Sequence, residues 1–209
     1  MAMQPVTHPL LILLVLLQFC TFMMLTCSAT RKFDHKNHSI NKLYIKKSCG
    51  NTTYPKLCYK SLAHHAGKIK ADPKLLAQAA LNTTFYAAKA TSKMLREMSR
   101  IHGLKRNEAA AMLDCIADVR DAMQELEKST RAMDVVEGTD VQTKMNDVQM
   151  WVNTALEEEE TRMNALFSNK AIQGKVKNGV RRRILMVAHS TSNALALVKS
   201  YALAQNNST

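Results

Sequence analysis

Apolar residues in this chain recur every three to four positions over long stretches, and period-two alternation is hard to find. The first long stripe runs through Leu76, Ala80, Thr83, Ala87, Ala90, Met94, Met98 and Ile101. Asp72 suits the N-cap of the helix that carries it, Pro73 its first position and Gly103 its end. A second helix starts near Asn107, buries Ala109, Met112, Ile116, Val119, Met123, Leu126, Thr130 and Met133, and closes at Gly138. Thr139 and Gln142 have capping-box spacing for a third. Its face is Val141, Met145, Val148, Val152 and Ala155, resuming at Met163 and Leu166. A fourth runs from about Lys175 to Ala204, with Ile184, Val187, Thr191, Leu195, Val198 and Ala202 inward, while Gly174 and Gly179 blur its start. Four helices of about 28 residues joined by short Gly-marked turns predict an all-α, up-down-up-down four-helix bundle, each helix near 40 Å long. Residues 36–66 precede it as short helices.

The start of the chain changes the picture. From Pro9 to Ala29 it is almost wholly apolar, densest over Leu10 to Leu17, and it ends Cys27-Ser28-Ala29. Small residues three and one before a cut suit signal peptidase. Residues 1–29 hold no Lys or Arg, so the positive n-region shrinks to the amino terminus and His8. The apolar run is short for a membrane span and charges begin at Arg31 and Lys32, so a cleaved signal peptide is expected rather than an anchor. Sequons at Asn37, Asn51, Asn82, Asn206 and Asn207 add a second, independent lean toward secretion. Cys20 and Cys27 would leave with the leader, and Cys49, Cys58 and Cys115 would remain. An odd number implies one pair and a spare thiol, or an intermolecular link. Cys49 and Cys58 flank Gly50 and Pro55, a turn able to bring them together.

Charge is blocked rather than mixed. The net charge is +12. Residues 30–106 hold 17 basic and 3 acidic side chains, residues 107–160 hold 4 and 14, and residues 168–209 hold 7 and none. Such polarity suits a charged partner. Nucleic acid is not expected, because no groove-reading or base-stacking motif accompanies the charge. An acidic extracellular polymer or an acidic protein fits better, set against solvated helix faces with no ligand at all.

No catalytic constellation emerges. His64 and His65 are adjacent, hence about 100° apart on a helix and poorly placed to share a metal. Glu157, Glu158, Glu159 and Glu160 cover a whole helical circumference, so most face water. Arg181, Arg182 and Arg183 form a compact cation cluster beside the core position Ile184. There is no phosphate loop, nucleophile elbow or metal-spaced Cys/His set. Neither a catalytic residue, a metal nor a cofactor is expected.

Several stretches together resemble the plant invertase and pectin methylesterase inhibitors: Ile45-Lys46-Lys47-Ser48-Cys49, Thr53-Tyr54-Pro55-Lys56-Leu57-Cys58, Ser61-Leu62, Asp72-Pro73, Leu113-Asp114-Cys115, Asp121-Ala122, Trp151-Val152-Asn153-Thr154-Ala155-Leu156 and Thr191-Ser192-Asn193-Ala194-Leu195-Ala196-Leu197-Val198. The resemblance covers essentially residues 40–204. It implies a four-helix bundle with an N-terminal helical hairpin, an apoplastic (cell-wall) location, and no catalysis. It also implies a one-to-one complex in which the protein covers its enzyme's substrate cleft. Such occlusion needs complementary shape and charge, not a reactive group. The resemblance implies a Cys49–Cys58 bridge stapling the hairpin. It normally brings a second pair, tying the second bundle helix to the third. Cys115 fits the first of that pair, but Arg162 stands at the partner position, so that bridge is expected to be absent and Cys115 to be a buried free thiol.

The expected organisation is a signal peptide over 1–29, an N-terminal extension and stapled hairpin over 30–71, and the bundle over 72–209, with 40–71 part of the same inhibitor domain. Invertase inhibitors commonly carry Pro-Lys-Phe in a turn between bundle helices. This chain has Pro55-Lys56-Leu57 and Asp72-Pro73-Lys74-Leu75 instead. With the Thr191–Val198 stretch, that favours pectin methylesterase as partner. Invertase is the alternative target, and a non-inhibitory cell-wall protein binding polygalacturonate the alternative role.

Overall fold

The computed structural model describes residues 13, 14, 16–18, 37–100, 106–136, 141–168 and 174–206. The chain divides into two compact units, Met1–Ile40 and Asn41–Thr209. In the first, every described residue is helical. No helix among the described residues is long and apolar enough to cross a membrane. The proposed leader cut at Ala29, Asn207, and the turn glycines Gly103 and Gly138 lie outside the described residues, as do Ile101 and Thr139.

The described part of the second unit is helices joined by turns at residues 50–54, 70–72, 99–100 and 135–136. Helix α1 covers residues 37–49. It is followed by α2 (Pro55–Leu62), a 3-10 turn (Ala63–His65) and α3 (Ala66–Ile69). Then come the four bundle helices: α4 (Pro73–Met98), α5 (Arg106–Asp134), α6 (Val141–Ser168) and α7 (Gly174–Asn206). Each packs on two others, α4 and α6 both contacting α5 and α7, which closes the expected up-down-up-down square. α2 and α3 lie against the outside of this square, α2 on α4 and α7, α3 on α4.

Local chemistry explains the entry into the bundle. Lys70 and Ala71 have φ of 50° and 56°, a left-handed pair with no glycine to relieve it. The Lys70 N–H donates to the Ala66 carbonyl at 3.1 Å and the Asp72 N–H to that of Ile69 at 2.9 Å, which ends α3. The chain then turns straight into α4, where Asp72 Oδ1 accepts from the Leu75 N–H at 2.8 Å and Pro73 opens the helix. The cap and proline are as expected from sequence.

The buried face of α4 departs from the expected stripe. Leu76 and Ala80 are buried, but beyond them the core line is Leu81, Thr84, Ala88, Thr91, Ser92 and Leu95. Thr83, Ala87, Met94 and Met98 are only half-buried, and Ala90 is exposed. The face is rotated by about one residue, or 100°. Thr84 Oγ1 donates to the Ala80 carbonyl of its own helix at 2.8 Å, so a residue that counts as polar enters the core with its donor satisfied.

The other faces follow the pattern. In α5, Met112, Ile116, Val119, Leu126 and Met133 are buried, joined by Cys115, Ala122 and Ser129, while Ala109, Met123 and Thr130 are half-buried. In α6, Met145, Val148, Val152 and Ala155 are fully buried, Val141 is half-buried, and the side chains of Met163 and Leu166 lie outside the described set. All six expected positions of α7 are buried, with Val180, Ala188, Ala194, Leu197 and Tyr201 beside them.

Candidate functional site

A disulfide closes the N-terminal segment on itself, and hydrogen bonds and a ring stack hold it to the bundle. Cys49 and Cys58 form a disulfide with their Cα atoms 5.6 Å apart. Inside the loop it closes, Thr52 is buried and both its N–H, at 3.1 Å, and its Oγ1, at 2.8 Å, donate to the Cys49 carbonyl. That tight turn delivers Thr53 and Tyr54 to α7. There Asn193, 4% exposed, reads the backbone of Tyr54 from both sides. Its Oδ1 accepts from the Tyr54 N–H at 2.9 Å and its Nδ2 donates to the Tyr54 carbonyl at 3.1 Å. Ser192 Oγ donates to Thr53 Oγ1 at 3.1 Å. The Tyr54 ring stacks on His189 with centroids 3.7 Å apart and planes 19° apart.

This gives the Thr191–Val198 stretch a physical meaning. Thr191, Ala194, Leu195 and Val198 pack into the core. Ser192 and Asn193 turn outward just enough to grip the hairpin. His189 is the partner that sequence reasoning missed. Its signal is weak: one histidine, four residues before Asn193, on the same α7 flank.

Cys115 stands apart from this staple. It is a buried free thiol, 4% exposed. Burial first, and then the nearby Asp118 and Asp114 charges, push its pKa up to about 12, so it is held protonated and unreactive. Arg162 lies on α6, with its side chain outside the described set.

The remaining candidates scatter over the surface. His64 is exposed and His65 half-buried, and among the described residues no group of His, Cys, Asp and Glu could hold a metal. Glu157 is exposed and Glu158 half-buried, while the side chains of Glu159 and Glu160 lie outside the described set. Arg181, Arg182 and Arg183 are exposed. Asn37 and Asn51 are exposed. Asn82 is half-buried and lines an open cavity of about 470 Å³ with His65, Lys68, Leu75 and Tyr86. The Asn206 side chain lies outside the described set. Two large apolar side chains stand exposed on the outer faces of α5 and α6, Leu113 and Met150.

A helical bundle carrying a disulfide-stapled, docked hairpin is a recognisable combination, and the profile of the plant invertase/pectin methylesterase inhibitors matches residues 43–197. The chain belongs to that family. The plant invertase/pectin methylesterase inhibitors are a family of inhibitors, not of catalysts. Among curated proteins, the chain is 39% identical over 174 residues to Pectinesterase inhibitor 10 of Arabidopsis thaliana, covering 82% of this chain. It spans 55% of that relative's length. It is 36% identical over 179 residues to Pectinesterase inhibitor 11 of the same plant, covering 84% of this chain and 87% of the relative. The fold matches the crystal structure of a mutant form of a pectin methylesterase inhibitor from Arabidopsis with a TM-score of 0.57 at 19% identity, covering 72% of this chain and 92% of that one.

Proposed function

We propose that this chain is a secreted inhibitor of pectin methylesterase, acting in the plant cell wall by binding the enzyme and covering its pectin cleft. The observation that carries this reading is the similarity, at 36–39% identity over most of the chain, to proteins named pectinesterase inhibitors. The architecture suits the task. A stapled and clamped bundle presents rigid helix faces, and rigid faces lose little freedom on docking. Inhibition then needs only shape and charge complementarity, most readily from the exposed faces of α5 and α6.

In this reading residues 1–29 are a signal peptide cut after Ala29, and residues 40–71 and 72–209 act as one inhibitor domain. Asn37, Asn51 and Asn82 are glycosylation sites with accessible side chains, and Asn206 and Asn207 are further candidates. Sugar at Asn82 would be added before folding, since Thr84 of its sequon ends in the core. The deciding experiment titrates the mature protein against pectin methylesterase and against invertase at apoplastic pH. Stoichiometric loss of pectin methylesterase activity is expected. Inhibition of invertase alone would replace this reading.

A further inference from the structure

Beyond the enzyme-binding faces, one stripe of like charge runs along the seam between α4 and α5. Lys89, Lys93 and Arg96 follow one another on α4 at steps of four and three residues, and Arg100 continues the line in the turn after the helix. Such steps bring all of them to one face. All four are exposed.

Two hydrogen bonds at the other end of the seam fix which face this is. Gln78 Nε2 donates to Asp134 Oδ1 at 3.0 Å and to the Met133 carbonyl at 3.3 Å. Arg96 lies eighteen residues, five full turns, after Gln78, and therefore on the same line of α4. On α5, Arg120 lies fourteen residues, nearly four turns, before Asp134, on the flank that meets α4. The antiparallel register carries Arg120 to about the level of residue 91, beside Lys93. It too is exposed.

Four acidic residues of α5 keep away from the stripe, while Asp134 sits at the far end of the seam, bonded to Gln78. Asp114, Asp118, Asp121 and Glu125 have the same four-three-four spacing, but Asp118 is two residues from Arg120, about 200° round the helix. Glu127, further along Arg120's flank, is held by Arg131 at 2.6 Å. On α4 itself, Glu97 meets Lys93 only at 3.9 Å, with both side chains largely in water. Such a contact neutralises little.

We infer that this five-cation stripe is a binding site for a linear polyuronate, the carboxylate-bearing polymer that pectin methylesterase leaves behind. The choice of polymer rests on the proposed function. The chemistry is one of charge complementarity. Hydrolysis of each methyl ester adds water, releases methanol and leaves a carboxylic acid that ionises to a carboxylate. The fully esterified chain is neutral and gives the stripe nothing to bind. The de-esterified chain presents one carboxylate per sugar to a row of cations spaced along a straight helix. The inhibitor is thereby retained where its target has already acted.

The test measures binding of the mature protein to immobilised polygalacturonate and to highly methyl-esterified pectin, with inhibition followed in parallel. Two triple variants carry the same charge loss: K93Q/R96Q/R100Q in the stripe, and K56Q/K60Q/K68Q on exposed positions of the N-terminal segment. Expected are binding to polygalacturonate but not to the ester, loss of about tenfold in apparent affinity between 50 and 200 mM salt, and a similar loss in the stripe variant only. Inhibition by the stripe variant should stay at the wild-type level. Absence of polygalacturonate binding would overturn the inference. So would equal weakening in both triples, which would make the attraction diffuse, or loss of inhibition in the stripe variant with polymer binding intact, which would place the enzyme on this seam. A wild-type protein that inhibits neither enzyme yet binds polygalacturonate through the stripe would defeat the proposed function and uphold the site.

Discussion

The two halves of the molecule are secured in different ways. The hairpin is closed on itself by a disulfide and held to α7 by a two-pronged side-chain grip on backbone and a ring stack. The α5–α6 half holds a buried thiol, and many of its side-chain hydrogen bonds run along its own helices, as for Ser129 to the Glu125 carbonyl and Thr130 to that of Leu126. Its cohesion therefore comes from apolar packing, with Met112, Leu126, Met133, Met145 and Val148 at 0% exposure. The difference teaches that the periphery of this fold needs directional bonds, because it is small and half-wet, whereas the bundle interior can rely on area alone.

The largest effect is expected from attacking that area. Leu126→Ala leaves a cavity in the unstapled half and should cost about 2–5 kcal/mol in urea unfolding. A cost below that of losing the staple would reverse the comparison. Next is Cys58→Ser, which opens the hairpin loop and should cost about 2–4 kcal/mol, at the low end because the loop is short. Asn193→Ala removes both bonds to Tyr54 and leaves polar backbone atoms unmatched, for about 1–3 kcal/mol. Its signature is local: amide exchange over residues 50–62 should rise while α5 and α6 stay protected.

The smallest effect is that of Cys115. Below the ordinary thiol value of 9.0 the folded and unfolded chains both hold the proton, and its contribution to stability is constant. Above it the unfolded chain deprotonates first, so stability falls as pH rises toward about 12. The stability advantage of wild type over Cys115→Ala should shrink from pH 9 upward. At pH 8 a thiol reagent should label Cys115 only after denaturation, and rapid labelling of the folded protein would contradict its burial.

What could be read from sequence divides along the same line. The Asp72–Pro73 start of α4 and the six inward positions of α7 rest on local rules, and they are where those rules put them. The α4 face is the exception, because an Ala-rich helix offers little contrast and the adjacent Thr83 and Thr84 give no local reason to choose one face over the other, 100° away. The grip of Asn193 on Tyr54 was invisible because it joins positions 139 residues apart. A surface evolved to match an enzyme cleft has no periodicity of its own, so contact residues do not announce themselves.

The same separation sets an order of events. The hairpin and its seat on α7 are made from opposite ends of the chain, so a ribosome delivers the seat last. Until residue 193 emerges, the disulfide can close and α2 and α3 can meet α4, but the α7 side of the seat is missing, and the loop that must shut is nearly the whole domain. Docking is thus the final, slow closure of a fold whose helices are otherwise local. Truncation just before Asn193 would leave a hairpin that is oxidised and rests on α4 but lacks the grip on Tyr54.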